Sequence, residues 1–115
     1  MNGERQKFAQ DSSLHIRIYE IIPALTRCKN GWKANVATLY WQVYALSPED
    51  FPADIRGDFT ELQRLIYACQ RVGANDYRLF SSPKASDRER ISDSALKLYA
   101  YMITIRATVG EPALP

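Results

Sequence analysis

Carboxylates are the most concentrated reactive groups in this sequence. Residues 49–61 hold five of them and a single base, Arg56. The five are Glu49, Asp50, Asp54, Asp58 and Glu61. Acidic pairs on two helices hold Mg²⁺ in all-helical enzymes that hydrolyse nucleotides, and here Glu89 and Asp93 would have to supply the second pair. Their spacing matches such sites loosely, and acids are favoured at helix N-termini in any case. A Mg²⁺-dependent nucleotide hydrolase is therefore the least favoured alternative.

Other groups that could do chemistry are few. The single histidine, His15, stands between apolar residues without the spacing of a triad or a metal site. We expect it on a helix flank with its polar edge in water. Cys28 and Cys69 form no Cys-x-x-Cys motif and lie in helical patterns, which indicates reduced core thiols. The five glycines are isolated, so no phosphate-binding loop is present. We expect no metal, no cofactor and no enzymatic activity.

Arginine and tyrosine alternate in a second stretch of the chain. Residues 62–90 contain six bases and three acids. Planar cations beside aromatic rings can grip phosphates and stack on unpaired bases. The residues that could do so are Arg64, Tyr67, Arg71 and Arg78. Because the formal net charge is only +2, we favour a solvated face whose arginines pair with nearby acids. A nucleic-acid-binding module is the alternative.

The elements that must position these residues follow from length and pattern. The 115 residues, 46% hydrophobic and 24% charged, correspond to a single globular domain and exclude a disordered chain. Four segments have apolar residues at helical spacing, so the sequence predicts an all-α fold. The segments cover 11–28, 33–46, 53–72 and 86–110. Pro23 lies inside the first, where it predicts a kink or a break.

The connections complete the predicted architecture. Ser47-Pro48 has the composition of a helix start, and a second proline soon after limits that helix to a single turn. Residues 74–85 read as a loop, and no segment has the pattern of a β-hairpin. We expect residues 1–10 and 111–115 to fray. Short connections then predict a four-helix antiparallel bundle with a kinked first helix.

Apolar side chains occupy two faces of two helices. The second helix carries no charge between residues 34 and 48, and Trp41 and Tyr44 lie opposite its core stripe. On the fourth helix, Leu96 and Ile103 lie opposite the core stripe in the same way. A helix that is apolar all round is buried all round, and large exposed apolar patches mark interfaces. We expect these four side chains to contact a protein partner or a second copy of the chain.

Targeting signals are not evident. Residues 1–13 carry Glu4, Arg5, Lys7 and Asp11 and no apolar run of signal-peptide length. The charge-free stretch 34–48 is far shorter than the roughly 20 residues of a membrane helix. The expectation is a cytoplasmic protein with no membrane partner. It would be a non-catalytic helical interaction module, acting as a homo-oligomer or as a small adaptor, subunit or inhibitor of a larger complex.

Overall fold

The computed structural model describes residues 2–26 and 31–109, and this part of the chain is mostly helical, as predicted. Five α-helices and one two-stranded antiparallel sheet follow one another along the sequence, with 3-10 turns at Pro48–Asp50 and Ala74–Asp76. The helices are α1 (Asn2–Gln10), α2 (Ser12–Thr26), α3 (Gly31–Tyr44), α4 (Ala53–Tyr67) and α5 (Ala85–Val109). The strands are β1 (Gln70–Val72) and β2 (Arg78–Phe80).

Helices α2 to α5 contact one another in a closed ring. Helix α2 packs on α3, α3 on α4, α4 on α5 and α5 again on α2, while α1 packs on α5. The apolar stripes predicted for α4 and α5 both face this interior. Phe59, Leu62 and Ile66 of α4 are buried, as are Leu98 and Met102 of α5. Burial of such stripes supplies the main driving force for packing helices.

Residues 2–10, for which we expected fraying, form helix α1. Its Phe8 is buried and its ring lies 5.6 to 5.9 Å from the rings of Tyr101 and Phe51. Asp11 separates α1 from α2, and its Oδ1 accepts a hydrogen bond from the Leu14 N–H at 3.1 Å. The helix is held because its one large apolar side chain enters the core. The predicted fraying of 111–115 lies outside the described residues.

Helix α2 continues through Pro23 to Thr26, so no break occurs there. Gly31, the first residue of α3, has a φ of +82°, a left-handed value that glycine adopts without strain. Cys28 lies outside the described residues. The single turn predicted after Ser47 is present, and Asp50 Oδ2 accepts a hydrogen bond from the Ser47 N–H at 2.8 Å.

The third predicted helix ends five residues early, and the chain then forms a β-hairpin. The prediction of helix to Val72 and of no hairpin was therefore wrong. Strand β1 pairs with β2 in the register Arg71 to Leu79. Asn75 and Asp76 turn the chain with φ values of 59° and 61°. Asn and Asp tolerate this left-handed region better than other non-glycine residues, so the pair allows a tight reversal.

Among residues 2–26 and 31–109, no helix combines the length and the apolar character needed to cross a membrane.

Candidate interaction surface

Aromatic rings from three elements gather on one side of α3. The buried ring of Tyr40 lies at the centre, with Trp41 at 5.0 Å, Tyr44 at 5.7 Å and Tyr67 of α4 at 5.3 Å between ring centroids. Phe80 of β2 lies 5.4 Å from Tyr40 on the hairpin side. We call the exposed rings of Trp41, Tyr44 and Tyr67 the aromatic surface. Helical spacing on α3 and the end of α4 bring these rings together.

The aromatic surface is accessible to solvent and ordered by ring contacts. Trp41 is 52% exposed and Tyr44 56% exposed, and their rings meet edge to face at 5.8 Å. Partial burial and the neighbouring Tyr40 hydroxyl raise the pKa of Tyr67 above its ordinary value, so its phenol is neutral at physiological pH. Edge-to-face and offset pairs are the geometries that aromatic rings prefer. The patch is therefore apolar and preorganised.

Leu96 and Ile103, the other two predicted contact residues, lie elsewhere. Both are exposed on α5, which alternates with α3 in the ring of helices, with α2 and α4 between them. They flank Tyr99, whose ring lies 6.2 Å from that of Tyr19 on α2. The four predicted residues thus belong to two separate exposed apolar faces, and the structure does not bring them into one site.

A groove with basic walls lies beside the aromatic surface. It has a volume of about 360 Å³ and runs between the first turn of α3, the end of α4 and the hairpin. Lys33, Arg71 and Arg78 line it, and its described lining includes no carboxylate. The Arg78 guanidinium lies over the Tyr40 ring, 5.3 Å from its centroid, a cation–π contact that orients the charge. We call this feature the basic groove.

Arg64 does not join this groove. Its Nε and Nη2 donate to the two carboxylate oxygens of Glu61 at 3.0 and 2.8 Å, and Arg90 of α5 also contacts Glu61 at 2.9 Å. Of the four residues predicted for nucleic-acid binding, Arg71 and Arg78 line the groove and Tyr67 lies next to it. Lys33 is a groove cation that the sequence pattern did not indicate, because nothing in its own helix shows that a hairpin folds against it.

The acidic residues of 49–61 do not converge on one point. Asp54 accepts hydrogen bonds from Arg5 at 2.6 Å and from the Tyr101 hydroxyl at 2.9 Å, and Asp58 lies 3.8 Å from Lys97. Burial alone would raise the pKa of Asp54, but the bonds from Tyr101 and Arg5 outweigh it and lower that pKa. Hydrogen bonds from Arg64 lower the pKa of Glu61. Within the described ranges, no three His, Cys, Asp or Glu side chains are grouped to hold a metal.

His15 is completely buried, so the expectation of a wet histidine was wrong. Helix α1 covers it: Nε2 lies 2.6 Å from the Phe8 carbonyl oxygen, and Nδ1 lies 2.7 Å from Nη1 of Arg106 on α5. A guanidinium only donates hydrogen bonds, so Nδ1 is the acceptor and Nε2–H donates to Phe8. His15 therefore joins α1, α2 and α5.

Comparison of the chain with family models, with curated proteins and with solved structures finds no match in any of the three.

Proposed function

We propose that this protein is a non-catalytic interaction module of the cytoplasm that binds a protein through its aromatic surface. The protein bound there is a second copy of the chain, or a larger complex in which this chain is an adaptor, subunit or inhibitor. In this proposal α2 to α5 form a four-helix antiparallel bundle that serves as a rigid support, and the ring of contacts among these helices supports that arrangement.

The observation that carries the proposal is the exposure of Trp41 and Tyr44 on a helix without charged residues between 34 and 48. Tryptophan and tyrosine are enriched among the residues that dominate interface energetics. Their rings are already held by Tyr40 and by each other, so little side-chain entropy is lost on binding. Burying Trp41 in a partner would contribute about 2 kcal/mol or more.

Replacing Trp41 with Glu tests the proposal. We expect light scattering on the purified protein to report a dimer or larger species that Trp41→Glu dissociates. If the wild-type chain is a monomer, a pull-down from native lysate should recover a partner protein, and Trp41→Glu should abolish that recovery. Ile16→Glu is the matched control, because Ile16 is 47% exposed on α2. A monomer whose lysate complexes survive Trp41→Glu would contradict the proposal.

The second apolar face, with Leu96 and Ile103 on α5, is proposed as a separate contact. Leu96→Glu and Ile103→Glu should then weaken an assembly independently of Trp41→Glu, since the two faces share no residue. Substitutions on separate faces have additive effects on the free energy of association when the two contacts are independent. Light scattering on the double variant Trp41→Glu/Leu96→Glu measures whether the two faces serve one assembly or two. An assembly that tolerates both α5 substitutions would remove this contact.

The Mg²⁺-dependent hydrolase stays the least favoured function. Lys97 contacts Asp58, and Arg64 and Arg90 contact Glu61. A metal ion would have to displace these cationic side chains from the carboxylates. Nucleotide turnover that requires Mg²⁺ and is lost in Asp58→Asn would revive it.

A further inference from the structure

We propose that the basic groove binds single-stranded nucleic acid, an activity beyond the proposed protein contact. Lys33, Arg71 and Arg78 would hold successive phosphates, and the rings beside the groove would stack on unpaired bases. This is the combination that single-strand-binding proteins use: cations that follow the backbone and aromatic rings that hold bases without reading their sequence.

The first support is that the described part of the chain places no carboxylate against the cations of the groove. No carboxylate of the described residues forms an ion pair with Lys33, Arg71 or Arg78, whereas Arg64 and Lys97 on other faces do have such partners. Arg78 instead lies over the Tyr40 ring. Three cations on the walls of one concave site raise the local positive potential, even though the whole chain has a formal charge of only +2.

The second support is the position of the exposed rings. Tyr77 is 70% exposed on the hairpin that carries Arg71 and Arg78, and the exposed ring of Tyr67 lies 5.3 Å from that of Tyr40, the ring over which Arg78 lies. An acidic peptide would satisfy the cations but would leave these rings without flat partners. Bases joined by phosphates satisfy both, which is why the observations favour nucleic acid over an acidic protein segment.

The groove is small, which favours a single strand over a duplex. Its volume of about 360 Å³ lies at the lower end of small-molecule sites, enough for about one unpaired nucleotide. Two carboxylates near the groove would oppose a bound anion. Asp76 lies at the tip of the hairpin, and burial, together with the nearby Asp87 carboxylate, raises the pKa of the Cys69 thiol that lines the groove. Neither carboxylate lines the groove.

Fluorescence anisotropy with labelled 12-nucleotide oligo(dT) and oligo(U) tests the assignment on the full chain. Three phosphate contacts on a single strand correspond to a slope of about −2 for log K against log salt, so affinity should fall about twentyfold between 50 and 200 mM salt. Arg71→Ala and Lys33→Ala should each weaken binding by about tenfold and make the slope shallower. Tyr77→Ala should weaken binding about fivefold or more while keeping the slope.

Arg64→Ala is the matched control, since it also removes one exposed charge from the same end of α4, outside the groove. It should change the affinity by less than twofold. The far-ultraviolet circular dichroism and unfolding midpoint of every variant are recorded, and Lys33→Arg should restore binding. The assignment is overturned by absence of binding at 50 mM salt. Equal losses in Arg64→Ala and Arg71→Ala, tighter binding of duplex DNA, or full competition by polyglutamate would overturn it as well.

Discussion

Two regions of the described structure differ in whether their cationic side chains are paired with carboxylates. Between α4 and α5, Arg64 and Arg90 share Glu61, and Lys97 lies beside Asp58. At the hairpin and the start of α3, Lys33 and Arg71 line an open groove without a carboxylate among its described lining residues. Exposed ion pairs contribute only about 0–1 kcal/mol each. The cations of the first region are therefore paired with neighbouring carboxylates, whereas those of the second region are available to a ligand.

The same two regions also differ in how much of their apolar surface is buried. The two largest fully buried side chains of the described residues are Phe59 of α4 and Phe51 just before it, and their rings stack at 4.4 Å. The hairpin, in contrast, exposes Val72, Tyr77 and Leu79. Stability should therefore reside in the first region and binding in the second, since binding residues concentrate on segments carried by a rigid scaffold. Four substitutions measure how far that division holds.

The largest effect is expected at the centre of the stable region. Phe59→Ala removes a ring that is 0% exposed, so it should lower the free energy of unfolding by about 3–5 kcal/mol. Urea denaturation followed by circular dichroism measures it. Trp41→Ala is the comparison, because it deletes an exposed ring and should cost less than about 1 kcal/mol. Similar losses for the two would mean that the aromatic surface belongs to the core.

The next effect concerns the turn that forms the hairpin. Asn75 has a φ of 59°, a conformation that a β-branched residue adopts only with strain of about 1–2 kcal/mol. Asn75→Val should lower stability by that amount or release the hairpin, while Asn75→Gly should be tolerated. Hydrogen exchange of the Gly73 amide, which donates to the Tyr77 carbonyl oxygen, reports which occurs. Unchanged exchange and stability in Asn75→Val would contradict the turn described here.

A smaller effect is expected from the pairing of Asp54. Its pKa is lowered in the folded protein, so it stabilises the fold above the ordinary aspartate pKa of about 3.9. That contribution is lost as pH falls through the lower folded pKa. Asp54→Asn should therefore lower the free energy of unfolding by less than about 1 kcal/mol at pH 7. It should leave that free energy unchanged in acid, below both pKa values. Urea titrations at pH 7 and in acid measure this. An equal cost at both pH values would show that charge is not the cause.

The smallest effect on stability should come from the groove itself. Arg71 is exposed and has no ion-pair partner among the described residues, so Arg71→Ala should change the free energy of unfolding by less than about 0.5 kcal/mol. The same urea titration measures it. A large loss would mean that the guanidinium has a structural role, and the contrast between the two regions would then fail.

The helical core could be predicted from the sequence because its signal is local. The stripes Phe59–Leu62–Ile66 on α4 and Leu98–Met102 on α5 recur at the spacing of one helix face, and all five side chains are buried. The turn at Pro48–Asp50 could be predicted for the same reason, since serine and proline favour it by their own geometry. The exposure of Trp41 and Leu96 also followed from their position opposite a core stripe.

The contacts between elements could not be predicted in this way. Residues 70–72 carry a helical pattern as readily as a strand pattern, and pairing with residues 78–80 decides between them. The burial of His15 depends on the Phe8 carbonyl and on Arg106, which lies 91 positions away. The grouping of Lys33 with Arg71 and Arg78 likewise depends on where the hairpin packs.

Sequence alone determined which faces of the helices are apolar, because the period of a helix is a property of its own backbone and needs no partner. Only the tertiary structure decided which charges are paired and which stay available. The energy of an exposed ion pair is about 1 kcal/mol or less, too small to direct the fold, so the placement of Arg64 beside Glu61 and of Arg71 in an open groove follows from how the apolar faces pack. The candidate sites of this protein are consequences of that packing.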